Sequence, residues 1–187
     1  MKRIFIVAIA IMAFGFTNAQ QTRFGIKGGL NITKYGGGGY WDANSLVGFQ
    51  VGGFAEIKII ERLAIQPEIL FSAQGATLSP PFGDYDERLN YINVPVLAKF
   101  YITKQFTVEG GPQLGFLVSA EQEGHDAKGD FKSVDTGFNF GAGYNFTDDL
   151  SVNFRYTIGL SDILDYEFGT AGSPKNRVLA LTMGYKF

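Results

Sequence analysis

From Arg177 to Phe187 the chain alternates with a period of two. Leu179, Leu181, Met183, Tyr185 and Phe187 take one side; Ala180, Thr182, Gly184 and Lys186 take the other. That period belongs to a strand with two unlike faces. The same rhythm predicts seven earlier strands, over about Thr22–Ile32, Leu46–Ile59, Leu63–Ala76, Asn90–Tyr101, Phe106–Ala120, Ser133–Phe146 and Leu150–Leu160. The last of these alternates almost without fault, with Leu150, Val152, Phe154, Tyr156 and Ile158 against Ser151, Asn153, Arg155, Thr157 and Gly159. The connections run long, short, long, short, long, short, long. Long ones cover Tyr35–Ser45, Thr77–Arg88, Glu121–Lys132 and Ser161–Asn176; short ones cover Ile60–Arg62, Ile102–Gln105 and Thr147–Asp149. An even number of strands returns both chain ends to the short-turn side, and short turns opposite long loops are the habit of transmembrane barrels. About ten tilted strand residues suffice to cross a bilayer's apolar layer.

Alternation alone does not say which face meets solvent, because a soluble ligand-carrying barrel also alternates, with its apolar side inward. Composition changes that picture. Charged residues make up 18% of the chain, with 25 glycines and 18 phenylalanines. The side opposite the apolar one is mostly Gly, Ser, Thr, Asn and Gln, which suits a narrow lumen and not a water-facing exterior. Phe100, Phe106, Phe146, Tyr185 and Phe187 lie near the short turns, where an interfacial aromatic girdle is expected. The expected fold is therefore all-β: an eight-stranded, antiparallel, up-and-down transmembrane β-barrel.

Lys2 and Arg3 precede an apolar stretch, Ile4 to Phe16, and Thr17-Asn18-Ala19 offers small residues for cleavage. Residues 1–19 are expected to be a cleaved signal peptide and 20–187 the barrel. Without Lys2 and Arg3 the balance is 16 − 2 = 14 basic against 18 acidic residues, a net of −4, which offers nothing to nucleic acid. With no cysteine, a disulfide framework and a Cys-held metal are excluded.

Six charges fall on the inward side of the strands' short-turn half: Lys27, Glu56, Glu68, Lys99, Glu109 and Arg155. An eight-stranded barrel is just wide enough to be filled by side chains. Buried charge is tolerable when paired, so a structural ion-pair network plugging the lumen is expected. Pro67, Pro95 and Pro112 lie at similar heights on consecutive strands, where each removes a ladder donor, so either bulges or a weak seam should mark them.

Candidate chemistry is sparse. His125 is the one histidine, which rules out a two-His zinc motif, and no G-x-S-x-G sequence is present. The run Gly36 to Gly39 lacks the Lys-Ser/Thr of a phosphate loop, and neither Asp84, Asp86 and Glu87 nor Asp126 and Asp130 follow the spacing of a calcium loop. No catalytic residue, cofactor or metal site is assigned, and a non-enzymatic protein is expected. Tyr35, Tyr40, Trp41, Phe82, Tyr85, Phe131 and Tyr166 put aromatics among polar loop residues. They form either a recognition surface or interfacial anchors.

The segments F-G-I-K-G-G-L-N, Q-P-E-I-L-F-S, L-N-Y-I-N-V-P-V-L-A-K-F, G-G-P-Q-L-G-F and R-Y-T-I-G-L occur in this order. Together they resemble the small "outer membrane protein beta-barrel" family often called PorT-like, over essentially the whole mature chain. The resemblance implies the outer membrane of a Gram-negative bacterium, with lipid as surroundings. It also implies that the barrel assembly machinery reads the closing strand, including Tyr185 and Phe187. It carries no shared catalytic residues. The family's namesake is associated with a secretion system. The expected role is a membrane scaffold or binding protein acting through its outer loops or periplasmic rim. An accessory subunit of a secretion or envelope-assembly machine is the alternative; a narrow pore and a lipid-acting enzyme rank lower.

Overall fold

The computed structural model describes residues 22–37, 43–78, 85–165 and 174–187. The expected signal peptide lies outside them. Eight long strands build the molecule: β1 (Thr22–Gly36), β2 (Ala43–Ile60), β3 (Leu63–Leu78), β4 (Tyr85–Tyr101), β5 (Phe106–Gln122), β6 (Val134–Asn145), β7 (Leu150–Gly159) and β8 (Lys175–Lys186). Every neighbouring pair is antiparallel, in the order β4-β3-β2-β1-β8-β7-β6-β5, and β4 pairs with β5 to close the cylinder. Closure leaves no sheet edge, which a strand in lipid requires because nothing there can satisfy a free N–H or C=O. A two-residue strand, His125–Asp126, folds back on Glu121 and Gln122, and one 3-10 turn follows at Lys128–Asp130. No helix among the described residues is long and apolar enough to cross a membrane.

The faces are inverted relative to a protein dissolved in water. Ile26, Leu30, Leu181 and Met183 are 55–61% exposed, whereas Lys27, Asn31, Gln66 and Glu68 are at most 3% exposed. Burying ions while exposing such a band of aliphatic and aromatic residues makes sense only where the outer solvent is apolar. Register keeps the two sets apart. Leu30 stands opposite Leu181 and Ile32 opposite Leu179 on the outside, while Lys27 stands opposite Gly184 on the inside.

At the long-loop end β1 to β5 and β8 run past the limits expected from apolar alternation, whereas β6 and β7 do not. β4 begins at Tyr85 instead of near Asn90, and β1 extends to Gly36. Beyond Ile92 the outward side of β4 carries Asn90, Arg88 and Asp86, so the apolar stripe stops where the lipid does. The ladder continues, pairing Leu78 with Tyr85 and Glu87 with Gln122. Tyr85, Asp86 and Glu87 are therefore strand residues, not loop residues. Gly75 makes this extension possible: at φ +143° its missing side chain leaves room for the Glu87 carbonyl on the neighbouring strand.

No bulge forms at the three prolines. Pairing lapses beside each of them, between β2 and β3 at Pro67, β3 and β4 at Pro95, and β4 and β5 at Pro112, yet register is the same on both sides of every lapse. The register shifts lie elsewhere, between Ser45 and Gln50, Lys58 and Ile60, and Asn90 and Tyr91. A proline removes a donor without adding a residue, so the ladder loses bonds and keeps its count.

Candidate functional site: a filled lumen and its two mouths

Counting inward from the short turns, the lumen is filled in three layers. The first is ionic. Glu68 accepts from Lys27 Nζ at 2.7 Å and from Arg155 through both terminal nitrogens at 2.8 and 3.0 Å. Arg155 also reaches Glu109, with Nη2 at 2.6 Å and Nε at 2.8 Å from Oε1. A second group centres on Glu56, which accepts from Lys99 at 3.1 Å, Tyr101 at 2.6 Å and Lys186 at 3.4 Å. Gln66 joins the two, donating to Glu68 at 2.6 Å and accepting from Lys99 at 3.2 Å. All six charges expected inside are brought together, and Lys186 is added. Its place on the Gly184, Thr182, Ala180 side of the closing strand was the available signal. Four cations then face three carboxylates, and Glu109 Oε2 is the one oxygen of the three carboxylates without a partner among the described residues. Gly25 makes room here: a Cβ there would strike the ring of Phe54, over which Lys27 Nζ sits 5.4 Å from the centroid.

The second layer is neutral. Asn31 donates to Ser72 at 2.9 Å, Thr157 to Asn139 at 2.6 Å, and Thr33 to the Gly75 carbonyl at 2.7 Å. Short amide and hydroxyl side chains bond to one another in a space too narrow for longer ones, and the Asn31 and Asn153 Oδ1 atoms are left without a partner among the described residues.

The third layer is apolar and closes the long-loop mouth. Leu89, Tyr91, Leu117 and Ala120 point inward from β4 and β5. Ala127 and Phe131 come down on them from the β5–β6 connection and Ile163 from the β7–β8 connection. Backbone bonds stitch those two connections together: Lys132 N–H donates to Ile163 at 2.8 Å, Asp165 to Asp130 at 3.0 Å, and Phe131 pairs with Leu164. Phe131, expected on a recognition tip, is 5% exposed and belongs to this cap. Tyr35 packs against the cap and donates its hydroxyl hydrogen bond to Glu87. Burial pushes the Glu87 carboxyl above its usual range, against the Tyr35 hydrogen bond, and burial likewise raises the Tyr35 hydroxyl. Both groups stand above the apolar belt.

Tyr85 is half-buried and its hydroxyl accepts from Gln122 at 3.1 Å. His125 is exposed, with its ring beside the Glu123 carbonyl. Tyr40, Trp41, Phe82, Asp84 and Tyr166 lie outside the described residues. No group of three or more metal-ligating side chains is found among the described residues. Tyr185 and Phe187 face outward, 47% and 68% exposed, their rings 5.6 Å apart edge to face. Phe100, Phe106 and Phe146 also face outward at this end.

The model of the outer membrane protein beta-barrel domain matches residues 18–165. The chain belongs to that family. Its place is the outer membrane of a Gram-negative bacterium. Solved structures share the fold. Neisserial surface protein A is 16% identical, with a TM-score of 0.62 over 90% of this chain and 100% of that one. The attachment invasion locus protein Ail of Yersinia pestis is 16% identical, with a TM-score of 0.54 over 90% and 100%. OprG of Pseudomonas aeruginosa is 12% identical, with a TM-score of 0.54 over 90% and 97%. None of the curated proteins matches the chain.

In an outer-membrane barrel the short turns face the periplasm. The cap therefore closes the outer mouth of this family member, and the periplasmic mouth is left as a recess of about 880 Å³. Its floor is the Glu56 group of the ionic layer, and its walls are the three short turns.

Proposed function

We propose that this barrel is a non-enzymatic, non-conducting scaffold of the outer membrane that binds a partner through its outer loops or its periplasmic rim. The observation that supports it is the filling of the lumen at every level, by ion pairs, by amides and hydroxyls, and by the apolar cap. In this reading the ionic layer is structural. Its charges hold one another and occupy the lumen at that level. Planar-bilayer recording tests it. Purified wild-type protein should insert and leave the baseline current unchanged, and steady conductance steps would overturn the reading. Tyr185 and Phe187 serve in the same proposal as the mark read by the barrel assembly machinery. Removing Phe187 should reduce insertion into the outer membrane, while an unchanged amount of heat-modifiable barrel would count against that role.

A second reading, an accessory subunit of a secretion or envelope-assembly machine as the PorT-like resemblance implies, is favoured by the open, cation-rich mouth on the periplasmic side. Gentle solubilisation followed by co-purification separates the two. A machine subunit brings partners in fixed ratio, whereas a stand-alone scaffold does not.

A further inference from the structure

The two mouths are finished differently. The outer one is sealed by side chains of the chain itself, and the periplasmic one is not. The recess there carries Arg23, Lys58, Arg62, Lys104 and Lys186 against Glu56, Glu61 and Asp148. Several of these charges are already engaged. Arg23 pairs with Asp149 and donates to the Asp148 carbonyl, and Glu56 holds Lys99 and Lys186. Arg62 and Lys104 form no ion pair among the described residues, and Lys58 leans on the Tyr101 ring at 5.4 Å. The floor adds to the imbalance, because the ionic layer holds one more cation than carboxylate. Beside the free cations, Ile59, Ile60 and Ile102 are 54%, 62% and 49% exposed on the same turns and line the recess.

From this we infer that the periplasmic mouth is a docking site for an acidic peptide segment with interspersed apolar side chains, carried by a periplasmic protein. The inference rests on the scaffold reading and says what chemistry the rim selects. Arg62, Lys104 and Lys58 meet the carboxylates, and Ile59, Ile60 and Ile102 meet the apolar side chains. A volume of about 880 Å³ falls in the range of sites that enclose a ligand. A peptide fits the approach better than a lipid phosphate does. The recess lies inside the ring of turns, coaxial with the lumen, so a peptide enters it directly from the periplasm. A lipid headgroup would have to leave the leaflet outside the barrel wall.

The test uses the full barrel in phosphatidylcholine nanodiscs and a fluorescein-labelled, short, alternating glutamate–leucine peptide followed by anisotropy. Glutamine–leucine and lysine–leucine peptides are the controls. The acidic peptide should bind best, and its affinity should fall with added sodium chloride because exposed charges are screened. Arg62→Glu combined with Lys104→Glu should weaken it at least about tenfold, a change of about 1.4 kcal/mol. Both residues are exposed turn residues, so the variant's unfolding midpoint should match wild type. Equal binding of the three peptides, or binding indifferent to the double substitution, would overturn the site. Displacement of the peptide by phosphatidylglycerol in the disc would assign the recess to a lipid headgroup and also overturn it. Conductance of the same samples is read separately. A conducting wild type would fail the scaffold reading while leaving the peptide result to stand or fall by itself.

Discussion

The ionic layer and the cap fill the same cylinder by opposite means, and the difference follows from what surrounds each. The cap lies at the water-facing end, above the apolar belt. Phe131, Ala127 and Ile163 would meet water if the loops swung away, so the hydrophobic effect holds them down. At the level of the ionic layer the wall is surrounded by lipid. An apolar side chain there gains little by pointing inward, since the outside is equally apolar. Polar and charged lumen residues give the two faces unequal costs. A one-residue slip would turn Lys27, Glu68 and Arg155 toward the lipid, and a basic side chain there costs about 2–4 kcal/mol at mid-bilayer. The network thus favours one side as the inside of the seven strands that contribute to it, β6 contributing none, and the cap covers the outer mouth.

The strongest way to break this division is to remove the residue on which the first ionic group converges. Arg155→Met leaves Glu68 with Lys27 and Gln66 only, and Glu109 with no cation. Breaking a buried network in this manner costs about 3–5 kcal/mol, read as a loss of barrel unfolding free energy in urea with lipid vesicles. A loss below about 1 kcal/mol would show that the layer is replaceable filling. Phe131→Ala comes next, at about 3 kcal/mol for truncating a buried phenylalanine. Its effect should be local. Amide exchange at Lys132 and Asp165, whose N–H groups hold the two loops together, should speed up while global unfolding stays put. A shift of the global transition by the same amount would make the cap part of the barrel's cooperative unit.

How legible these two regions were in the sequence also differs, for the same physical reason. Period-two alternation over Leu150–Ile158 or Leu179–Phe187 states which residues face inward, and parity alone collects Lys27, Glu56, Glu68, Lys99, Glu109 and Arg155. Lys186 obeys the same parity and was open to the same reasoning. Tyr101 does too, two residues on from Lys99. The cap has no such period. Ala127, Phe131 and Ile163 are isolated apolar residues in polar stretches, and their meeting depends on two loops far apart in sequence closing over one mouth. Phe131 accordingly reads as an exposed aromatic and folds as a buried one. The outer strand ends were missed because alternation reports the lipid's thickness, not the ladder's length.

A smaller effect separates burial of charge with and without a cation. Glu68 and Glu56 have cations; Glu87, beside the cap, has the Tyr35 hydroxyl and nearby Asp130. Its carboxyl is raised above the usual value near 4.5, chiefly by burial. Folding then favours the protonated form. The cap is firmest below about pH 4.5 and loses stability as pH rises from there through the raised value. Glu87→Gln keeps an acceptor for Tyr35 and removes the charge. At pH 7 it should slow intrinsic-rate-corrected exchange at Ala127 and Ile163, and at pH 4 it should match wild type. Faster exchange in the variant at pH 7 would mean that the Tyr35 bond to a charged carboxylate outweighs its desolvation.

The smallest expected quantity is the coupling between the regions. Arg155 bonds to Glu68 and Glu109, and Phe131 packs with Leu89, Tyr91, Leu117 and Ile163, so the two share no partner. The neutral layer lies between them, and its bonds, Asn31 to Ser72 and Thr157 to Asn139, reach neither residue. Energies at sites separated in this way add to within about 0.3–0.5 kcal/mol. In a double-mutant cycle of Arg155→Met and Phe131→Ala, read as cap opening by amide exchange, Arg155→Met should leave the opening energy unchanged within that margin in either Phe131 background. A coupling above about 1 kcal/mol would mean that the amide-and-hydroxyl layer transmits strain from the periplasmic half to the outer mouth. What is bound at one end would then be felt at the other.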